Sequence, residues 1–396
     1  AREVKLRHVP RLQFEVDRSF GQADHINALL RQPEIELPSE NVSNDSGLEL
    51  LDSSPDEMGE TASQRAKDCY VSSIRIGTRN SRLALAQAEW VSSALASLDV
   101  ETTIVEITTL GDRIRDAPLG PHLGSSFFTK EIESALLNND IDVAVHSCKD
   151  LATRLPDGLS IVAVPEREDP RDVVVTSGNT PGAVSADSSA LDSPFRVGTS
   201  SPRRKGILAV LRPSWTVVDQ RGNVPTRVAA VDDGHLDGAV LAAAGLSRLG
   251  MLDRADLIFD PADLVPAAGQ GALALQCRTS DTLVCEKIIL LNHPVSHAAV
   301  RAERAVLRRL QAGCQAPLGV HAALSQLETD APEDVSVVLH SAVATPQGLI
   351  RNELEGNLAD PEGLGNSIAK DIASTLGVNT LADTPWAGIP PREEGQ

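Results

Sequence analysis

The chain has 396 residues, a formal net charge of −19, and 41% hydrophobic but only 3% aromatic residues. This length exceeds one ordinary domain and implies two to four, with cores of Ala, Val, Leu and Ile. The acidic balance argues against a nucleic-acid partner; the five cysteines (Cys69, Cys148, Cys277, Cys285, Cys314), never spaced CxxC, argue against a disulfide framework or a thiolate zinc site. Apolar stretches such as Gly238 to Leu246 fall short of the roughly 18–20 residues that span a bilayer, so a reduced, cytoplasmic setting is expected.

LRHVPRLQFEVDRSF and ADHINALL, at the start of the chain, read as a strand and a short helix, too little to enclose a core. From Gln32 to Gln64 there are nine acidic residues and no Lys or Arg, which predicts a disordered linker, placed at 33–70. Ser73 to Gly77 then reads as a strand, and the run after it sets Ala84, Ala88, Val91, Leu95 and Leu98 on one helical face. Further strands are expected at Thr103–Thr108, Ile141–His146, Ile161–Val164, Val173–Thr176, Phe195–Gly198, Thr216–Asp219 and Asp237–Ala242, separated by helical patterns. That alternation predicts α/β domains on mainly parallel sheets. From His293 the pattern becomes a long helix to Ala312, three strands (Gly319–Leu324, Val335–Val343, Leu349–Glu355) and a helix from Pro361 to Leu376, a small α+β domain.

Ligands of open α/β sheets bind beyond the carboxyl ends of the strands. Six arginines and two lysines fall at such strand-to-helix junctions: Arg79, Lys130, Lys149, Arg203, Arg204, Arg221, Arg227 and Arg248. One such Arg would be an ordinary surface residue. The whole set, in an acidic protein, implies a ligand with several carboxylates or phosphates, because guanidinium groups bind these in bidentate fashion. Taken alone, Asp150 reads as a helix N-cap and Cys314 as a small buried hydrophobe.

RIGTRNS, DVAVHSCKD, EREDPRD, VGTSSPRR, RGNV with TR, LAAAGLSRLG, PAAGQGA, AERA and GCQAPLG, in this order from about Ile74 to Gly319, resemble the motifs of the porphobilinogen deaminases (hydroxymethylbilane synthases). The resemblance implies two periplasmic-binding-protein-like (type II) α/β domains with the active site in the cleft between them, residues 71–168 with 270–290 and residues 169–269. A small C-terminal α+β domain, 291–396, would carry the cofactor attachment. It implies a monomeric, cytoplasmic transferase that condenses four porphobilinogen units head to tail into hydroxymethylbilane with release of ammonia, in porphyrin and haem biosynthesis. The resemblance implies no need for a metal or nucleotide, and with the charge and the short apolar stretches neither a nucleic-acid nor a membrane partner is expected. A dipyrromethane cofactor, bound covalently through Cys314, would prime the reaction. Asp150 matches the catalytic aspartate, whose carboxylate stabilises positive charge developing on pyrrole nitrogens. Arg203, Arg204, Lys149, Ser201 and Thr199 match cofactor-binding positions, the two arginines nearest the cofactor. Arg79, Ser81, Lys130, Arg221, Arg227 and Arg248 match positions that bind substrate and growing chain.

Ser125 stands where many members have Lys, Ala152 where Pro is frequent, Pro202 where Leu is, and Pro225 where Gly or Asn is commoner. Ser125 removes one cationic contact, and Pro225 is expected to shift the arginines around it. Residues 1–32 resemble the C-terminal end of ribosome-binding factor A, a small KH-like protein, over too short a span for the whole fold; a remnant is expected. Two other classes stay open, a non-enzymatic anion-binding protein and a ribosome-associated protein. The first has no use for Cys314, and the second needs a basic face that is not visible.

Overall fold

The computed structural model describes residues 73–113, 129–177, 194–313, 316–324 and 331–381; the KH-like segment 1–32 and the acidic segment 33–70 lie outside them. β1 (Ile74–Arg79) leads through a tight turn into α1 (Arg82–Ala96). The Ser81 hydroxyl caps that helix by accepting the Ala84 N–H at 3.3 Å. Ala84, Ala88, Val91 and Leu95 form its buried face as expected, but Leu98 does not. It lies past the helix end, in a turn that Asp99 closes with φ 57°, and is 41% exposed.

After β2 (Thr102–Ile107), α2 (Lys130–Leu137), β3 (Val143–Ser147) and β4 (Leu159–Ala163), the chain crosses to a second sheet. That sheet holds β5 (Asp172–Thr176), β6 (Phe195–Gly198), β7 (Trp215–Val218), β8 (Gly238–Ala242) and β9 (Leu257–Ile258). Its helices are α3 (Pro202–Leu211), α4 (Val224–Asp232) and the short α5 (Ala243–Ser247). The chain then returns to the first sheet as β10 (Leu273–Arg278), followed by α6 (Thr282–Ile288). The strand orders are β2-β1-β3-β10-β4 and β7-β6-β8-β5-β9.

The expectation of mainly parallel sheets needs correction. The pairs β1–β2, β1–β3, β6–β7 and β6–β8 are parallel, whereas β10 is antiparallel to β3 and β4, and β5 is antiparallel to β8 and β9. Strand-helix-strand units keep one direction, and β5 and β10 escape that rule because each arrives from the other sheet without a crossover helix. Each sheet therefore has the same topology, with a reversed fourth strand contributed by a crossing. This is the type II periplasmic-binding arrangement. β10 was also not among the expected strands: its run LALQC is too short and too evenly apolar for periodicity to separate strand from helix.

A third sheet, wholly antiparallel, consists of β11 (Leu318–Leu324), β12 (Ser336–Thr345) and β13 (Gly348–Asn357). One face packs on α7 (Pro294–Arg309) and α8 (Pro361–Leu376). Val295, Ala299, Ala302 and Val306 of α7 meet Val320, Leu339, Val343, Ile368 and Ile372 in one apolar core. Each fully buried Val or Ile there contributes about 1.5–3 kcal/mol. No described helix is long and apolar enough to cross a membrane.

Both crossings, 164–171 and 259–272, pass against α7. Arg167 donates to buried Glu303 through Nη1 at 2.6 Å and Nη2 at 3.1 Å. Glu303 also accepts the backbone N–H groups of Gly269 (2.6 Å) and Ala322 (2.8 Å). Burial alone would raise this carboxyl, but Arg167 and His321 together outweigh it and hold Glu303 at about 2. The two crossings touch at Gly271, where φ is +87° and a Cβ would stand 2.2 Å from the Glu168 carbonyl oxygen. Gly271→Ala is therefore expected to cost about 2 kcal/mol or more, seen as a lower urea midpoint at unchanged slope. A midpoint equal to the parent's would mean that the crossings are not packed so tightly.

Candidate active site

The carboxyl ends of β1 and β3 build one wall of the site. Arg79 ends β1 and pairs with Asp112 at 2.5 and 3.3 Å. β3 runs into a single turn, Cys148–Asp150, which sets Asp150 exposed beside Arg79. A pocket of about 60 Å³ lies here, lined by Arg79, Ser81, Gln87, His146, Ser147 and Asp150. Arg79 and Ser81 in its lining can hold one carboxylate arm of a ligand. Its floor is a buried polar chain: His146 bonds Gln276 at 3.0 Å, and Gln276 donates to Glu133 at 3.3 Å. Burial pushes His146 down to about 4 and Glu133 upward, so His146 is neutral at ordinary pH.

The second wall comes from β6 and α3. Thr199 accepts the Ser201 N–H at 3.2 Å, and the Ser201 hydroxyl accepts the Arg204 N–H at 3.4 Å, closing the start of α3. Pro202 is the first residue of α3, where no N–H is required. The helix start turns Arg203 and Arg204 inward, and both are buried on Asp172 at the start of β5. Arg203 Nη1 meets Asp172 Oδ2 at 2.6 Å, while Arg204 Nη2 and Nε meet Oδ1 at 2.7 and 3.1 Å. Arg203 also donates to the Val265 carbonyl and Arg204 to that of Val240, both at 2.8 Å. Burial would raise the Asp172 carboxyl; the two guanidiniums more than reverse this and hold it well below the usual carboxylate range.

Charges from the two walls act on one another. Lys149 donates to Gln270 Oε1 at 3.3 Å, and burial, then the like charge of Arg204, push it down to about 8. Arg227 donates to the Gly222 carbonyl at 2.8 Å. Burial and then Arg204 push it to about 10, with Asp150 opposing. Lys149, Asp150, Arg203, Arg204 and Arg227 thus form one electrostatic group. Pro225 sits in the first turn of α4 with the Asn223 cap intact (Thr226 N–H to Asn223 Oδ1, 3.0 Å), so the helix start that carries Arg227 is regular. Arg248 donates to the Gly271 carbonyl at 2.6 Å, at the crossings. Arg221 and Lys130 occupy exposed positions ahead of α4 and at the start of α2. Cys314 and Ser125 lie outside the described residues.

Asp172 and Gln270 were legible as letters in EREDPRD and PAAGQGA but not as site residues. The available signal was charge balance: two arginines carried inward at a helix start need a buried carboxylate nearby.

Residues 74–286 match the family described as porphobilinogen deaminase, dipyromethane cofactor binding domain, and residues 297–374 match the porphobilinogen deaminase C-terminal domain. The chain belongs to the porphobilinogen deaminase family. The porphobilinogen deaminase of Pelobacter propionicus is 44% identical over 306 residues, covering 77% of this chain and 94% of its own. That of Thermus thermophilus is 45% identical over 319 residues, covering 78% and 98%. Among solved structures, an ancestral cationic amino acid solute binding protein is similar at 14% identity and TM-score 0.37, covering 58% of this chain and 91% of that one. As a porphobilinogen deaminase the protein belongs to tetrapyrrole biosynthesis, and its first two sheets fall within the cofactor-binding domain.

Proposed function

We propose that this deaminase works as a monomeric cytoplasmic transferase, with Asp150 as its catalytic carboxylate and Cys314 as the covalent anchor of dipyrromethane. The observation that carries the reading is that Arg204 and Asp150 both act on Lys149 of the first sheet and on Arg227 of the second, so that these charges lie within electrostatic range of one another. A dipyrromethane bears several carboxylates and two pyrrole N–H groups. The donor set fits it: a surplus of cations for the carboxylates, one free anion for the N–H groups, and a buried Arg203 Nε with no hydrogen-bond partner in the described structure. When bound, this group supplies the nucleophilic pyrrole carbon to which substrate is added.

The chain's own residues then divide the work. Arg203, Arg204, Lys149, Ser201 and Thr199 hold carboxylates on the cofactor side, and Arg79, Ser81, Lys130, Arg221, Arg227 and Arg248 hold those of porphobilinogen and the lengthening product. The small pocket between Arg79 and Asp150 takes one substrate arm and so sets the ring beside the Asp150 carboxylate. As the aminomethyl nitrogen departs as ammonia, positive charge spreads onto the ring nitrogen, and Asp150 meets it at no cost in reorganisation. The buried, neutral His146 leaves Asp150 as the charge that answers it at this wall.

The test is the intact mass of the purified protein beside Cys314→Ala. A dipyrromethane increment in the parent and none in the variant is the expected result. A parent without the increment, even after incubation with porphobilinogen, overturns the anchor assignment.

A further inference from the structure

Gln270 stands between the two cation groups, and its side chain is fully buried. Its Oε1 accepts from Lys149 Nζ of the first sheet at 3.3 Å. Its Nε2 donates to Asp172 Oδ1 of the second sheet at 2.8 Å and to the Pro170 carbonyl at 2.7 Å. The amide supplies all three contacts, its oxygen accepting from the ammonium while its NH2 donates to both the carboxylate and the carbonyl. The reverse orientation would set its NH2 against Lys149 and its oxygen against Asp172.

The backbone at this point is equally constrained. The Gln270 carbonyl accepts Arg167 Nε at 2.8 Å, and its N–H donates to the Ala267 carbonyl at 2.9 Å. Gly269 and Gly271 flank it at φ +72° and +87°; a Cβ on Gly269 would meet Cys148 Sγ at 2.8 Å. Gln270 is thus wedged where the two crossings meet, between the turn that carries Lys149 and Asp150 and the strand that carries Asp172.

We propose that Gln270 is a positioning residue that joins Lys149 to the Asp172–Arg203–Arg204 cluster, so that the carboxylate-binding groups of both sheets are set as one unit. The proposal rests on the reading of Lys149, Arg203 and Arg204 as carboxylate ligands, and it assigns Gln270 no contact with the reacting atoms. Apart from this amide, no hydrogen bond of the described structure connects Lys149 to Asp172.

The test uses the full-length protein with Gln270→Met and Gln270→Glu, both first compared with the parent by thermal melting. Trinitrobenzenesulfonate modification of Lys149, followed by peptide mass mapping across pH, reads the amine without any turnover. The parent midpoint is expected near 8. In Gln270→Glu it should move up, because a carboxylate replaces the amide beside the ammonium; in Gln270→Met it should move down, because the acceptor is gone. Loading of the apoprotein by porphobilinogen, followed by intact mass, should be about tenfold slower in Gln270→Met, because Lys149, Arg203 and Arg204 hold the carboxylates of the cofactor. A Lys149 profile identical in the parent and in a folded variant overturns the proposal, as does a shifted profile with unaltered cofactor loading. If Gln270→Glu fails to fold against Asp172, Gln270→Met carries both arms. A parent that takes up no porphobilinogen defeats the deaminase reading instead, and the Lys149 profile still decides whether Gln270 joins the two groups.

Discussion

Asp172→Asn is expected to lower stability by about 3–5 kcal/mol, the range for removing one side of a buried ion pair. Asp172 is fully buried and answers two guanidiniums whose side chains are only 4% and 6% exposed. The variant leaves two guanidinium groups in the interior with no counter-charge. An asparagine oxygen can still accept one of these bonds, but its NH2 then faces donors from Arg203 or Gln270. Acid sensitivity gives a second readout. Burial would raise the Asp172 carboxyl, yet the guanidiniums take its folded value below the unfolded one. A group depressed in the folded state gives stability that is present above its unfolded value, about 3.9, and is lost as pH falls through that value towards the folded one. Urea unfolding at pH 5, 4 and 3 should show the parent losing stability steadily and Asp172→Asn losing less, with Glu303, held at about 2, still contributing in both. A variant within 1 kcal/mol of the parent, with the same acid slope, would remove Asp172 from the centre of this cluster.

The contrast between what was legible in the sequence and what was not follows from the range of the interactions. Ser201 before Pro202, and the continuous apolar run of Val173–Thr176, are local signals, and α3 and β5 stand within a residue of where they point. Strand direction is not local. Nothing in DVVVT states that β5 enters from another sheet and runs against β8, and nothing in LALQC separates β10 from a buried helix. The same limit hid half of the site. The family motifs pointed to Arg203 and Arg204, but their carboxylate partner lies 31 and 32 residues away in sequence, and Gln270 lies 98 from Asp172. AERA reads as part of one helix, yet Glu303 gathers donors from Arg167, Gly269 and Ala322, which belong to three separate segments. Helix caps and short strands are encoded by neighbours, whereas polar satisfaction of a buried site is settled only once distant segments have met.

Asp150→Asn should behave in the opposite way to Asp172→Asn, losing turnover without losing the fold. Its side chain is exposed at the end of the Cys148–Asp150 turn, and substitutions at such positions usually change stability by no more than about 0.5 kcal/mol. The arginine and lysine set around it stays in place, so binding of porphobilinogen carboxylates is retained. What disappears is the fixed negative charge that meets the ring as ammonia leaves. Removing one preorganised electrostatic group of this kind lowers kcat by about 10²–10³-fold, and single-turnover kinetics with porphobilinogen would show the fall in the chemical step while KM stays within a few-fold. Asp150→Glu keeps the charge but displaces it by one methylene, and it should fall between parent and Asn variant. An Asp150→Asn enzyme that turns over within threefold of the parent would require another carboxylate to meet the charge. Asp112, held against Arg79 at 2.5 Å on the same wall, would then be the residue to replace.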